Sequence, residues 1–597
     1  MTFKPSAYNL AIFNHVAAAL DGTANRCLIV EATAGSGKTT QLVELCRRLQ
    51  HTHPRVRVVV GAFGRRVADE LQQKLPSNAE ATTLHSLGFR TWRATCPGVE
   101  VDLDKVSRIV GSAVDKGLCP RWLRGKLRKL VDLARMHGIV PGWICNAEAS
   151  ALAQEARSGA GGYSGTAGAE SLAVARPTQS ADRDTAAAVA DQYPLRGLVA
   201  DTDDEWLRLI NHYDVGADAP GQLIGLARRT LAQSIRFGHR FVDHADMLYL
   251  PTLCSETQWW ISAQVLAVDE LQDLDGLQRV MIERLVGGVG KGSRCVFIGV
   301  GDPQQAIFAW RGADTDSVDR LKRRLAAAEL PLSICYRCPS SHLELARQSA
   351  DGTKVEARPG APEGVLERYD EYGTLVCYQP HRDGLECDCT SLTYKRGRLA
   401  PADPPKLTPT SFHPGDVVIS RAKAPLVKFA YWLLRHRVPA RILGKDLARD
   451  LLSFVDSMKA TTVTDLLLKV DRATTRALAR AAELDDDKAA EEAVDRQGVV
   501  RAVAESYDGD DVPGFKGELE GLFGDGGDRD DVVTCSTIHR MKGGEADRVW
   551  WLDAWKMYAD RKWKHDWQRV ENSNLRFVAA TRARAELRLI DSRMIGQ

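Results

Sequence analysis

A chain of 597 residues is too long for one domain and suits about four. Its formal net charge of +2 excludes a polycation, so any grip on nucleic acid must come from a local groove rather than a global field. The longest apolar runs are strand-sized, which excludes a membrane span; residues 1–5 carry no apolar signal core; and thirteen scattered cysteines read as reduced thiols of a cytoplasmic protein.

The first predicted elements are a strand at Cys27-Leu28-Ile29-Val30, a glycine-rich loop at Ala34-Gly35-Ser36-Gly37-Lys38-Thr39-Thr40, and a helix over residues 41–49. Strand, loop and helix in that order make the setting of a phosphate-binding loop. Glycines let backbone N–H groups approach the phosphates, and the helix N-terminus adds positive potential. Lys38 can reach the β- and γ-phosphates, and the Thr39 hydroxyl can sit on Mg²⁺. The strict pattern G-x-x-x-x-G-K-[ST] is missed by one residue, Ala32, at the first glycine.

A strand at 56–60 and a helix at 65–75 complete an α/β beginning over residues 1–88. Residues 89–240 read as mainly helical, with candidates at 106–114, 122–135 and 223–235. Within them, 158–190 is rich in Gly, Ala, Ser and Thr and reads as a loop or linker. Alternation resumes at Phe241-Val242-Asp243-His244-Ala245-Asp246-Met247. The apolar run Val265–Val268 then ends in Asp269-Glu270-Leu271-Gln272-Asp273. An aspartate at a strand tip can hold Mg²⁺, and the next carboxylate can orient or deprotonate the attacking water. An exposed acidic turn is the bland alternative, and the buried-type strand before it argues against that. A third strand, 295–300, runs into Gly301-Asp302-Pro303-Gln304-Gln305-Ala306-Ile307-Phe308-Ala309-Trp310-Arg311-Gly312.

The loop, D-E-x-Q-D and G-D-P-Q-Q-x-I-[FY]-x-W-R-G resemble motifs I, II and III of the UvrD/Rep/PcrA-type superfamily 1 DNA helicases. Further matches follow in the same order. Ala62-Phe63 resembles the start of motif Ia, with Gly64-Arg65 departing from its polar pair, and Thr83-Leu84-His85-Ser86 resembles the T-x-H-S segment. Ile334-Cys335-Tyr336-Arg337 resembles the N-Y-R of motif IV, with Cys335 in place of asparagine. Residues 537–545 resemble T-x-H-x-x-K-G-x-E of motif V, and 577–583 the V-A-x-T-R-A of motif VI. Asn9 stands where the family's adenine-reading glutamine would be.

The second half is expected to begin near Leu325, with strands at 417–420, 441–443, 532–534, 549–552 and 587–590. An insertion over 446–530 starts helical and ends acidic and Gly-rich, and it is well short of the helical subdomain the family carries there. The proline-rich stretch 359–414 also departs from the family. It holds Cys377, His381, Cys387 and Cys389, whose spacing matches no common zinc pattern and reads as a cysteine-bearing loop. Cys335 and Cys338 make a C-x-x-C, which their place in motif IV explains better than redox chemistry.

The resemblance implies an α/β fold of two RecA-like parallel-sheet motor domains, a P-loop NTPase with mostly helical insertions. Residues 1–88 and 241–324 would form the first motor domain, interrupted by 89–240. Residues 325–445 and 531–597 would form the second, interrupted by 446–530. It implies ATP and Mg²⁺ as cofactors and ATP in a cleft between the sheets. The site set is Lys38, Asp269, Glu270, Gln305, Arg337 and Arg582 for catalysis, the two arginines acting on γ-phosphate charge. Asn9, Ala34, Gly35, Ser36, Gly37, Lys38, Thr39, Thr40, Tyr336 and Glu545 would bind ATP, with Thr39 and Asp269 on the metal. Phe63, Thr83, His85, Phe308, Trp310 and His539 would contact DNA, the aromatics by stacking on bases, with core packing as the competing role for Trp310. Trp259-Trp260 and Trp550-Trp551 read as core.

The implied function is a motor on single-stranded DNA and duplex junctions that moves 3′ to 5′ and unwinds duplex, with accessory replication or repair proteins as candidate partners and no membrane. The alternatives are a protein-stripping translocase, a helicase–nuclease subunit and an inactive nucleic-acid-binding scaffold. The end of the chain soon after motif VI leaves no room for a nuclease domain, and the complete site set argues against a scaffold. The pathway stays open among repair, replication and recombination.

Overall fold

The computed structural model describes residues 4–142, 198–216, 219–254, 263–287, 295–308, 317–349, 353–370, 372, 375–377, 407–483, 487–505, 507–524, 531–559, 563 and 565–596. The chain divides into two compact units, residues 1–32 with 37–332, and 33–36 with 333–597.

The first unit is built on a six-stranded sheet in the order Ala328–Leu332, Cys27–Ala32, Val296–Gly301, Val265–Val268, Val58–Ala62, Ala79–Thr83. Every pairing in it is parallel. Parallel sheets are covered on both faces, so their strands are near-continuous apolar runs, as Val58–Ala62 and Val296–Gly301 are. One face packs on Ile12, Phe13 and Val16 of helix Ala7–Leu20 and on Leu42, Leu45 and Leu49 of helix Lys38–Thr52. The other face shares a core with helices Lys105–Asp115, Arg124–Met136, Asp203–His212 and Pro220–Arg236. The described part of the 89–240 insertion is therefore continuous with the motor core.

The first sheet also runs past residue 324. Ala328–Leu332 pairs with Cys27–Ala32 from Leu28↔Ala328 to Ala32↔Leu332. That edge strand was assigned to the second half, because Ala-Glu-Leu-Pro-Leu carries no sign of which sheet it joins.

A buried ion network ties the insertion to the segment before the acidic strand tip. Arg135, 1% exposed, donates to Asp243 at 2.7 and 2.8 Å, to Asp246 at 2.9 Å and to Asp132 at 2.6 Å. Lys105 pairs with Asp246 and donates to the Ser234 carbonyl at 2.8 Å. Burial and the neighbouring Asp246 push the Asp243 carboxyl up. Burial also works to raise Asp246, but Lys105 and Arg135 outweigh it and hold that carboxyl down. Removing one member of such a network leaves a buried charge uncompensated. Arg135→Ala is therefore expected to cost about 3–5 kcal/mol of stability, read by denaturant unfolding. A loss below about 1 kcal/mol, the range of exposed pairs, would show that the network is not buried in solution.

The second unit carries an eight-stranded sheet in the order Leu375–Cys377, Val365–Tyr369, Ala583–Ile590, Ala546–Leu552, Val417–Ser420, Val533–Thr537, Ala440–Leu443, Phe523–Gly524. Only Val365–Tyr369 with Leu375–Cys377 is antiparallel. Trp550 and Trp551 lie inside Ala546–Leu552, 1% and 0% exposed. Trp259 and Trp260 fall outside the described residues.

The 446–530 segment forms helices Lys445–Met458, Val463–Glu483, Asp487–Ala504 and Val512–Leu522, whose apolar faces join the core of this sheet. The acidic, Gly-rich end expected at 524–530 lies, from residue 525, outside the described residues. Two acidic residues of the segment act at helix starts. The Asp511 carboxylate accepts from Gly514 N–H at 2.6 Å, and that of Asp495 accepts from Ala424 N–H at 2.8 Å.

Candidate nucleotide-binding site

Gly35 and Gly37 hold φ of +68° and +81°, a left-handed backbone that any side chain would strain. Helix Lys38–Thr52 starts directly after them, so its unbonded N–H groups and positive end sit at the loop. Ala34 and Ser36 are buried and Thr40 is exposed. Ser36 Oγ donates to the Thr33 carbonyl at 2.8 Å, while Thr33 Oγ1 is buried with no hydrogen-bond partner. An orphaned hydroxyl in a loop of left-handed glycines fits an anion such as a phosphate.

The tips of two neighbouring strands, Val265–Val268 and Val296–Gly301, reach Lys38 and Thr39 and each other. Lys38 Nζ lies 3.1 Å from Glu270 Oε2, and Thr39 Oγ1 donates to Asp269 Oδ2 at 3.1 Å. Gln272 Nε2 donates to the same Glu270 oxygen, and Gln272 Oε1 accepts from Asp302 N–H at 2.9 Å. Gln305 Nε2 donates to Asp302 Oδ2 at 2.6 Å. A hydroxyl beside a carboxylate is a hard oxygen donor pair, which suits Mg²⁺. Among the described residues there is no group of three His, Cys, Asp or Glu that could hold a metal. Cys377's side chain and all of His381, Cys387 and Cys389 lie outside the described set.

Electrostatics follows from this crowding. Burial, then the like charge of Glu270, pushes Asp269 up to about 6, against the pull of Lys38 and Thr39. Burial raises Asp302 as well. Burial works to lower Lys38, but Glu270, Asp302 and Asp269 outweigh it and hold the ammonium charged. Glu270 itself sits in a left-handed conformation at φ +56°, unusual for a residue with a side chain.

Gln272 and Asp302, which join the two strand tips, are absent from the residue set read from sequence. The signal was available, since both stand inside the quoted motifs.

Asn9 departs from its expected role. Its Oδ1 accepts from Ser6 N–H at 2.7 Å, closing a capping box, and its Nδ2 donates to Gln41 Oε1 at 2.7 Å. At 4% exposure the amide is committed to the first helix and its neighbour. Adenine reading needs free amide groups, so this geometry does not favour it.

In the second unit, Arg337 Nε pairs with Glu545, and its Nη1 donates to the Thr581 carbonyl at 3.3 Å. Glu545 also lies 3.6 Å from Arg584. Arg582 is 1% exposed and donates to the carbonyls of Val578 at 2.8 Å and Gly544 at 3.1 Å, and to Thr581 Oγ1 at 3.2 Å. It ties the end of helix Asp566–Ala580 to the turn before Ala546–Leu552. Tyr336 is exposed and His539 half-buried.

The stacking candidates divide. Phe63, 42% exposed, lies parallel to Phe308, with centroids 6.1 Å apart and an interplanar angle of 5°. Trp310 lies outside the described residues. Thr83 Oγ1 accepts from Ser86 N–H at 3.1 Å and caps helix Leu84–Thr95. His85 stacks on His244 at 3.8 Å, and burial, then the His244 charge, pushes it down to about 3. It is therefore a neutral imidazole at physiological pH. Among the described residues, no helix is long and apolar enough to cross a membrane.

The UvrD/REP helicase N-terminal domain family matches residues 15–326. The ATP-dependent DNA helicase Rep of Escherichia coli (strain K12) is 33% identical over 95 residues, 15% of this chain and 13% of that protein. DNA helicase II of Haemophilus influenzae is 30% identical over 116 residues, 18% and 15% of the two chains. DNA helicase II of Escherichia coli (strain K12) is 39% identical over 80 residues, 13% and 10%. The aligned segments thus span between 10% and 15% of these relatives.

Proposed function

The chain belongs to the UvrD/REP helicase family, and from that premise we propose that it is an ATP-driven motor that moves 3′ to 5′ on single-stranded DNA and unwinds duplex. The observation that carries this reading is the hydrogen-bonded chain from Thr39 and Lys38 through Asp269, Glu270, Gln272 and Asp302 to Gln305. Such a chain can pass a change at the phosphates from one strand tip to the next.

Thr39 and Asp269 would hold Mg²⁺, which when bound supplies positive charge against the phosphate oxygens. Lys38 adds a second cation there. Glu270 orients the attacking water and takes its proton. Gln305 senses the γ-phosphate and couples it to the DNA-contacting loops. Arg337 supplies transition-state charge, with Arg582 as its expected companion. Gly35, Ser36 and Gly37 cradle the phosphates, and Tyr336 and Glu545 contact the base and ribose.

Phe63 and Phe308 offer a stacking surface for bases, Trp310 is a further expected stacking residue, and Thr83, His85 and His539 are expected backbone contacts. Phe63→Ala is expected to weaken single-stranded DNA binding by about 1–3 kcal/mol, with little dependence on base sequence. Because Phe63 is exposed, Tm should stay nearly unchanged. A fluorescence titration showing wild-type affinity would remove it from the interface.

The reading as a whole is tested by ATP hydrolysis with and without single-stranded DNA, followed by unwinding of duplexes bearing a 3′ or a 5′ tail. We expect DNA-stimulated hydrolysis and preferential unwinding from the 3′ tail. Stimulated hydrolysis without strand separation would favour the protein-stripping translocase. That second reading has support in the 446–530 segment, whose helices pack into the second unit's core and whose Asp495 and Asp511 serve as helix caps. Unwinding from the 5′ tail would refute the polarity.

A further inference from the structure

Cys335 and Cys338 bracket the turn that carries Tyr336 and Arg337. Cys335 ends the strand Ile334–Cys335, and Cys338-Pro339 leads into helix Ser340–Ser349. Both side chains are inside, 0% and 1% exposed. Cys338 N–H donates to Cys335 Sγ at 3.4 Å, which brings the two residues together across the turn. Cys338 Sγ also donates to the Thr581 carbonyl at 3.5 Å, the same oxygen that Arg337 Nη1 reaches.

The two thiols differ in acidity. The neighbouring Cys338 thiol pulls Cys335 down to about 7 against burial, helped by the N–H groups of Cys338 and Arg337 and by the Arg337 charge. The neighbouring Cys335, together with burial, pushes Cys338 well up. A thiol near ambient pH is the best attacker in disulfide exchange, and a second thiol in hydrogen-bond reach resolves the product. Cys27 and Cys295 are a useful contrast. They are also close neighbours, but burial raises Cys27 and pushes Cys295 up to about 12.

We propose that Cys335 and Cys338 form a reversible dithiol–disulfide switch beneath Arg337, oxidised by a small disulfide such as oxidised glutathione. The Cys335 thiolate attacks one sulfur of the oxidant, and the other half leaves as a thiolate. Cys338 gives its proton to that thiolate and attacks Cys335 Sγ, releasing the second half. Two protein thiols become one S–S bond, and the oxidant takes two electrons and two protons as two small-molecule thiols. Bond formation brings the sulfurs to about 2.05 Å and removes the Cys338 donation to Thr581. The turn must tighten, and Arg337 shifts with it. Since both thiols are buried, the turn has to open first, and the reaction should run over minutes to hours. The effect on turnover rests on the proposed ATPase role of Arg337; the disulfide itself does not.

The test uses the full chain with excess oxidised glutathione, followed by alkylation and peptide mapping. We expect a 335–338 peptide two hydrogens lighter, restored by dithiothreitol, with Cys27 and Cys295 still thiols. DNA-stimulated ATP hydrolysis should fall at least tenfold on oxidation and return on reduction. Cys335→Asn, which installs the amide of the N-Y-R pattern, and Cys338→Ser should each hydrolyse ATP when reduced and ignore the oxidant. Absence of the 335–338 disulfide in folded protein overturns the proposal, as does a disulfide that leaves the rate unchanged. If neither redox form hydrolyses ATP, the functional reading fails while a mapped, reversible 335–338 disulfide still supports the dithiol.

Discussion

Arg337→Ala is expected to lower the rate constant for ATP turnover by about 10³-fold or more, with a smaller effect on KM. The guanidinium is held at two points, by Glu545 at Nε and by the Thr581 carbonyl at Nη1. The Arg337 and Glu545 side chains are 18% and 38% exposed, so the ion pair can open toward a more highly charged phosphate. A charge held in place but still reachable suits stabilisation of phosphate charge in the transition state. Arg337→Lys should recover little, because a point-charge ammonium does not reproduce the planar guanidinium that reaches Glu545 and the Thr581 carbonyl together. Steady-state kinetics at saturating single-stranded DNA decide it, and a change confined to KM would reduce Arg337 to a binding role. Arg582→Ala serves as the contrast. Its guanidinium is buried on the Val578 and Gly544 carbonyls, so its loss should lower Tm as well as the rate, through buried acceptors left unpaired.

Glu270→Gln is expected to slow hydrolysis by about 10²–10⁴-fold while nucleotide binding persists. Glutamine keeps the shape and can still meet Lys38 and Gln272, but it cannot take a proton. Lys38→Ala should instead lose both turnover and phosphate affinity, because its ammonium pairs with Glu270 and is held charged by Glu270, Asp302 and Asp269 at the loop. Rapid-mix binding of a fluorescent ATP analogue separates the two. Full activity in Glu270→Gln, or DNA-independent hydrolysis by the parent, would sink the assignment.

The phosphate loop and the strand tips were legible in the sequence because each is a local arrangement. A left-handed glycine, a lysine at the first helical position and a carboxylate one residue beyond a strand are fixed by their immediate neighbours. That locality marks Lys38, Thr39, Asp269 and Glu270, and it is the family resemblance that joins them with Gln305 in one site. Its limit appears at Asn9, whose amide the tertiary structure commits to Ser6 and Gln41. The same limit appears at Ala328–Leu332, whose sheet no local pattern names.

Arg135 meets Asp243 across 108 residues, and Gln272 meets Asp302 across 30. These pairings follow from which strands lie side by side, and local sequence carries no information about that order. Cys335 and Cys338 stand between the two cases. Their spacing was plain in the sequence, but only the folded turn brought Cys338 N–H to 3.4 Å from Cys335 Sγ and set both residues beside Arg337.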